Sequence, residues 1–297
     1  LPANRRRNEH WQRSLEQIFE RGGGLEISFP RADADEPGCG DESSTSNLIW
    51  RVRILSLCDD EIVLEQPMTL GETMSLEEGV ELVVVMAVGQ NRWMFKTTVL
   101  GATEYSPVPG RSGCAFRVAV PEAVERCRRR SFYRVSTTQL VLPKVTCWPL
   151  LNPDSVVLAE KANEMRVLAS QNPQEAATFE NIDEHLSMPE VGPPFQATLA
   201  NIGGGGIGIV VEQGDAQALT RHRTFWLSMA LPPEITVPLA VTAKLVHTHI
   251  DSSQKTYCGL AFEFGHNRSH QKFIVDQIRR CVTIQQEAQL RKLRKTG

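Results

Sequence analysis

The alternation of apolar and polar positions divides the chain into two β-rich stretches with a helical pattern at each end. Trp11, Leu15, Ile18 and Phe19 recur at helical spacing and predict a helix over residues 5–21, ended by Gly22-Gly23-Gly24. The segment 32–46 holds Asp33, Asp35, Glu36, Asp41 and Glu42 among Gly and Ser, and predicts a surface loop. From Leu48 the pattern is that of strands: 48–57, 61–66, 81–88, 92–100 and 114–120, with Asp59-Asp60 and Gly89-Gln90-Asn91 as turns and Pro121 as a stop. Strands so spaced predict a small barrel or sandwich.

A second set of strands is predicted at 132–137, 140–148, 195–202, 207–212, 224–231, 238–249 and 257–264, with Pro143 marking an edge or bulge. Between them, 150–194 breaks the pattern with several acids, five prolines (Pro153, Pro173, Pro189, Pro193, Pro194) and one helix around 159–169. We read it as a surface insertion without a core of its own. At the C-terminal end Phe273, Ile274, Ile278, Cys281 and Ile284 form a helical stripe behind an N-cap at Asn267 or Ser269. Arg291, Lys292, Arg294 and Lys295 suit the negative end of that helix.

Composition narrows this picture only a little. With 297 residues, 41% hydrophobic and 23% charged, the chain has room for about two ordinary globular domains. No apolar run approaches the ~20 residues that span a bilayer, and Arg5-Arg6-Arg7 leads into an amphipathic stretch, not a signal sequence. Both favour a cytoplasmic protein without membrane insertion. The seven cysteines are scattered and include no C-x-x-C pair, which leaves no zinc knuckle or thioredoxin-type motif. His247 and His249 share a strand face, but no third metal ligand accompanies them. No Ser/His/Asp or Cys/His set stands out, so no enzyme and no metal centre are expected.

Against a net charge of -3, the run Arg126 to Val135 concentrates five arginines and no acid where one β stretch ends and the other begins. Guanidinium groups grip phosphate through paired hydrogen bonds, so the run is a candidate polyanion site; a solvated basic linker is the plain alternative. The overall charge argues against a nucleic acid as the partner. The second informative stretch is Asn201 to Ile209, where Gly203-x-Gly205-x-x-Gly208 matches a dinucleotide fingerprint in form. That motif needs a helix directly after its turn. Here β-branched Ile207, Ile209, Val210 and Val211 follow, so we read a strand–turn–strand.

Taken together, Arg130-Ser131-Phe132-Tyr133-Arg134 and Asn201-x-Gly203-x-x-Gly206 resemble the paired R-x-x-x-R and D/N-x-S-x-x-G signature of PilZ domains. Tyr257-Cys258-Gly259-Leu260-Ala261-Phe262 resembles that family's last barrel strand. The stretch 80–100, Pro121 and the abutting arginines resemble the companion barrel of the flagellar-brake (YcgR-like) branch. The resemblance implies a mainly β fold of two consecutive small barrels, a split-barrel-like N-terminal one and a six-stranded PilZ barrel, with N- and C-terminal helices. It implies segments 1–44 (helix and acidic loop), 45–125 (first barrel) and 126–297 (PilZ domain with insertion 150–194 and the last helix).

The resemblance also implies cyclic di-GMP, two guanines and two phosphates in one ring, as ligand, with flagellar motor proteins as candidate partners and no cofactor. Arg130 and Arg134 would meet phosphate or guanine, Arg129 would add a third guanidinium, Asn201 would bond a guanine edge, and Gly203 and Gly206 would let a base approach. Ligand binding would fix a new orientation between the barrels. The chain departs from the family at Gly203, where serine is usual, and at Asn201, where aspartate is common. A degenerate scaffold that works without nucleotide is the alternative.

Overall fold

Three glycines end the first helix and at once begin a strand. Helix α1 (Arg5–Glu20) buries Trp11, Leu15 and Ile18, but leaves Phe19 38% exposed, so its apolar arc is narrower than the sequence predicts. Gly22 takes the left-handed φ of +62° that turns the chain back. A Cβ on Gly23 would come within 2.8 Å of Ile18. The computed structural model describes residues 5–30, 48–88, 91–108, 111–127, 143–172, 188–203, 205–231, 235–250 and 254–296.

Strand β1 (Gly24–Ser28) follows the glycines, then β2 (Ile49–Leu57), β3 (Glu61–Glu65), the short hairpin β4 (Met68–Thr69) and β5 (Glu72–Thr73), β6 (Glu81–Val88), β7 (Asn91–Val108), β8 (Arg111–Ala119) and β9 (Glu125–Cys127). Six of these close a ring in the order β1-β2-β3-β8-β7-β6 and back to β1, every pair antiparallel. Alternation sends Leu25, Ile27, Ile62, Leu64, Phe116 and Val118 inward, where all are essentially buried. The ring is completed by β1, which lies in the stretch 1–44 that the sequence pattern leaves without a strand. Strand β9 hangs on β7 outside the ring, with Cys127 opposite Arg92.

The second set comprises β10 (Lys144–Pro149), β11 (Phe195–Ile202), β12 (Gly206–Val211), β13 (Thr224–Leu231), β14 (Ile235–Ile250) and β15 (Thr256–Phe262). It also closes, in the order β10-β11-β12-β15-β14-β13 and back to β10. The fold is therefore mainly β, two consecutive six-stranded barrels flanked by helices, as the resemblance implies. Val145, Cys147, Ile209, Leu227, Val241 and Cys258 fill the second barrel. Burial pushes the Cys258 thiol up to about 12 and Cys147 higher still, so both are packing groups, not nucleophiles.

Part of the inserted stretch is core, contrary to its reading as a surface appendage. Helix α2 (Val156–Gln171) lies on β14, and Val156 and Ala159 join Leu150, Trp226 and Ala240 in a second apolar cluster. Asn163 acts as a strand substitute: its Nδ2 donates to Pro238 O at 2.9 Å and its Oδ1 accepts from Ala240 N at 2.9 Å. Beside it, the fully buried His270 ring sets Nδ1 2.7 Å from Glu164 Oε1 and Nε2 2.8 Å from Ala240 O. The prolines and acids hid this because the buried side of α2 is built from small and polar residues, including Glu160 and Asn163.

After the short helix α3 (Gln217–Arg221), the C-terminal helix α4 (Arg268–Thr296) ties the two barrels together. Ile274, Ile278 and Cys281 are buried as predicted, whereas Ile284 is 38% exposed and Gln285 and Gln286 turn inward instead. Gln286 explains the switch: its Oε1 accepts from Glu77 N at 2.7 Å and its Nε2 donates to Ser75 O at 3.0 Å, both on the first barrel. Gln289 accepts from Glu81 N at 3.0 Å, and Gln271 donates to Leu70 O at 3.2 Å. The barrels also touch directly through a parallel bridge between Trp50 of β2 and Ile202 of β11.

Candidate functional site

Strand β11 carries a bulge between Leu199 and Asn201, which re-aims the residues that follow just before the glycine turn. Asn201 comes opposite Gly208, Gly208 opposite Gly259, and Gly259 opposite His247, one row across four strands. A second bulge, between Leu245 and His247 of β14, sits at the other end of that row. The glycines are required by what covers them. A Cβ on Gly208 would lie 2.1 Å from Tyr257 Oη and 2.7 Å from Asn201 Oδ1, and one on Gly259 would lie 2.2 Å from the His247 ring.

The result is a shelf of rings beside an amide. Asn201 Nδ2 donates to Tyr257 Oη at 2.8 Å. On its other side the Tyr257 ring meets His249, with centroids 4.8 Å apart and planes 31° from parallel. Burial pushes the Tyr257 phenol above its ordinary value of 10.0, with the Asn201 hydrogen bond pulling the other way, so it stays protonated at neutral pH. Ring surfaces of this kind stack planar bases.

The turn itself joins Asn201, Gly203 and Gly206, three of the residues singled out in the sequence. Gly203 N donates to Gly206 O at 2.8 Å, and Phe262 N donates to Gly205 O at 3.0 Å. The segment is a strand–turn–strand, as read. The glycines at its two ends differ in kind. A Cβ on Gly206 would come within 1.9 Å of Leu260 O, so the close approach of β12 to β15 demands glycine there. At Gly203 the nearest atom to an added Cβ is 3.9 Å away and no positive φ is needed, so that position has room for a side chain. Arg129, Arg130 and Arg134 lie outside the described residues.

The shelf stands where the two barrels meet. Tyr257 feels the charges of Glu26, Arg51 and Arg92, all on the first barrel. Arg92 Nη1 donates to Glu26 Oε2 at 3.2 Å, and Arg51 is the register partner of Glu26. Burial raises the Glu26 carboxyl above its usual range, while Arg92 and Arg51 draw it back. Since Cys127 pairs with Arg92, the strand that leads into the arginine run ends beside this cluster. In the sequence alone Tyr257 reads as a strand aromatic and His249 as a histidine without a third metal ligand. Their alternation at 247/249 and 257/259 on facing strands was the available signal. Among the described residues no group of three or more His, Cys, Asp or Glu could hold a metal ion, and no helix is long and apolar enough to cross a membrane.

Comparison with known proteins gives a family match over part of the first barrel and distant likenesses over most of the chain. Residues 36–110 match PilZNR, described as flagellar protein YcgR. No curated protein matches the chain. Among solved structures, the Bacillus subtilis inhibitor of motility (MotI/DgrA) is 15% identical, covering 88% of this chain and 97% of its own, with a TM-score of 0.30. YcgR from Escherichia coli in complex with c-di-GMP is 11% identical, covering 95% and 92%, with a TM-score of 0.27. Apo MrkH from K. pneumonia is 11% identical, covering 94% and 91%, with a TM-score of 0.26. TM-scores this low decide nothing about ligand or function. Over residues 36–110, then, the chain is similar to the PilZNR family, described as flagellar protein YcgR.

Proposed function

We propose that the chain is a cytoplasmic bacterial receptor, not an enzyme, that binds cyclic di-GMP at the junction of its two barrels and thereby regulates flagellar motility. In this reading 126–297 is a PilZ domain and 45–125 its YcgR-like companion. Arg130 and Arg134 hold phosphate or guanine, Arg129 adds charge, and Asn201 takes a guanine edge over the turn at Gly203 and Gly206. One observation carries the reading: Asn201 and the ring shelf of Tyr257 and His249 stand at the barrel junction, and β9 delivers the start of the arginine run to Arg92 beside it. The match of 36–110 to flagellar protein YcgR supports motility as the output. Ordering the arginine run against the shelf would reset the angle between the barrels and expose or hide a surface for flagellar motor proteins.

The test is equilibrium dialysis with labelled cyclic di-GMP on the parent chain, Arg130→Ala and Arg134→Ala. Each substitution should lower affinity at least tenfold, since a charge-assisted bidentate contact contributes roughly 1.5–3 kcal/mol. Equal affinity in all three chains would contradict the assignment. A second reading, a scaffold that works without nucleotide, is favoured by Gly206, Gly208 and Gly259, each of which packing alone explains. Partner pull-downs unchanged by nucleotide would support it.

A further inference from the structure

The ring of His270 is fully buried, and both of its nitrogens face oxygen. Nε2 lies 2.8 Å from Ala240 O, and a carbonyl only accepts, so Nε2 carries a hydrogen. Nδ1 lies 2.7 Å from Glu164 Oε1. A neutral ring with its hydrogen on Nε2 would turn a bare lone pair on Nδ1 toward a carboxylate. The contact therefore needs one more proton, carried by Nδ1 or by Glu164, and that proton belongs to the pair. The flanking rings suit a charged imidazole: Phe273 stacks on it with centroids 5.6 Å apart, and Phe264 stands at 6.2 Å.

Three elements meet at this proton: His270 belongs to α4, Glu164 to α2 and Ala240 to β14. Glu160, the other carboxylate that α2 brings within reach of the ring's charge, is buried and accepts from Thr242 of β14 at 3.4 Å. A second histidine pair, His266 Nδ1 3.5 Å from Asp154 Oδ1, spans the same two segments, but Asp154 is 89% exposed and solvent screens it. Glu164 keeps 24% of its side chain exposed, so the pair exchanges its proton with solvent although the ring is closed off. We propose that α2 is a proton-operated clasp: the proton between His270 and Glu164 holds it on β14 and α4, and rising pH releases it. The sign follows from the proton count. Docked, the pair holds a proton that the separated groups give up above a free imidazole's ordinary value of about 6.5, so undocking releases a proton and grows easier as pH rises. One proton is worth up to about a factor of ten per pH unit in the docking equilibrium. Through Asn163 the clasp bears on β14, and through His270 on α4, the helix whose Gln286 reaches the first barrel. The inference does not depend on which ligand the junction takes.

The experiment follows hydrogen exchange of the α2 amides in the full chain from about pH 6.5 to about pH 9.5, each rate expressed against that of an unfolded chain at the same pH. Three chains are compared: parent, Glu164→Gln and Glu160→Gln, with thermal melting to check that each is folded. In the parent, protection of α2 should fall at least about tenfold across the range, while that of β3 and β8 in the first barrel stays within about twofold. In Glu164→Gln the amide donates to a neutral ring and closes the clasp without the extra proton, so the fall should shrink below about threefold. Glu160→Gln should leave the fall in place. Protection in the parent that does not change with pH overturns the proposal, and so does a fall that survives Glu164→Gln or disappears in Glu160→Gln instead. Nitrogen-15 spectra of the His270 ring give an answer that needs no variant. The Nδ1 signal should move over the same pH range, and one that stays constant overturns the clasp.

Discussion

Two glycines of the same turn call for opposite expectations. Gly203 has open space around its missing side chain, so Gly203→Ser should fold unchanged and raise affinity for cyclic di-GMP several-fold, the equivalent of about 1 kcal/mol from one hydroxyl hydrogen bond. A titration showing equal or weaker affinity would mean that the hydroxyl has no partner there. Gly206 faces Leu260 O at 1.9 Å, so Gly206→Ala should cost roughly 1–3 kcal/mol of stability, seen as a lower melting temperature, whether or not nucleotide is present. The sequence pattern could not separate the two. It reports glycine, but the difference lies in the register of β12 against β15, where Gly206 falls opposite Ala261. The Asn201–Tyr257 pair was hidden for the same reason, being 56 positions apart in the chain.

Elements with their own apolar pattern were legible: β6 over 81–88, β11 over 195–202 and β13 over 224–231 fall where that pattern puts them. Strand β1 was not, since five residues directly behind a glycine run look like the exit of a helix. Helix α2 was found, but its role was not, because its buried face is small and polar and casts almost no hydrophobic signal. That face makes a pH prediction. Burial raises the Glu160 carboxyl above its ordinary 4.5, with the charge of His270 and hydrogen bonds from Asn267 and Thr242 opposing and Glu164 adding to the rise. A raised carboxyl binds its proton more tightly in the folded chain, so its favourable contribution is complete below 4.5 and is lost as pH rises through the folded value. Glu160→Gln should therefore raise the melting temperature at pH 7, with the gain shrinking as the pH falls toward the unfolded value. A gain that grows on acidification would contradict the sign.

At the scale of the molecule, two closed rings share one continuous buried apolar cluster and are linked by specific polar contacts as well. Those contacts include the bridge at Trp50 and Ile202 and helix α4, whose Gln271, Gln286 and Gln289 reach the first barrel. Gln286→Ala removes two hydrogen bonds to the first barrel's backbone and should cost roughly 1–3 kcal/mol in their docking. Scanning calorimetry should then show the first barrel melting as a separate, earlier transition. In the proposed function, a ligand at the junction would have to act against these contacts to reorient the barrels. The most direct measurement of the central claim is calorimetric titration of the parent chain with cyclic di-GMP. Saturable binding with a Kd below about 10 μM is expected, and no heat of binding with protein and ligand on the order of tens of micromolar would contradict a cyclic di-GMP receptor.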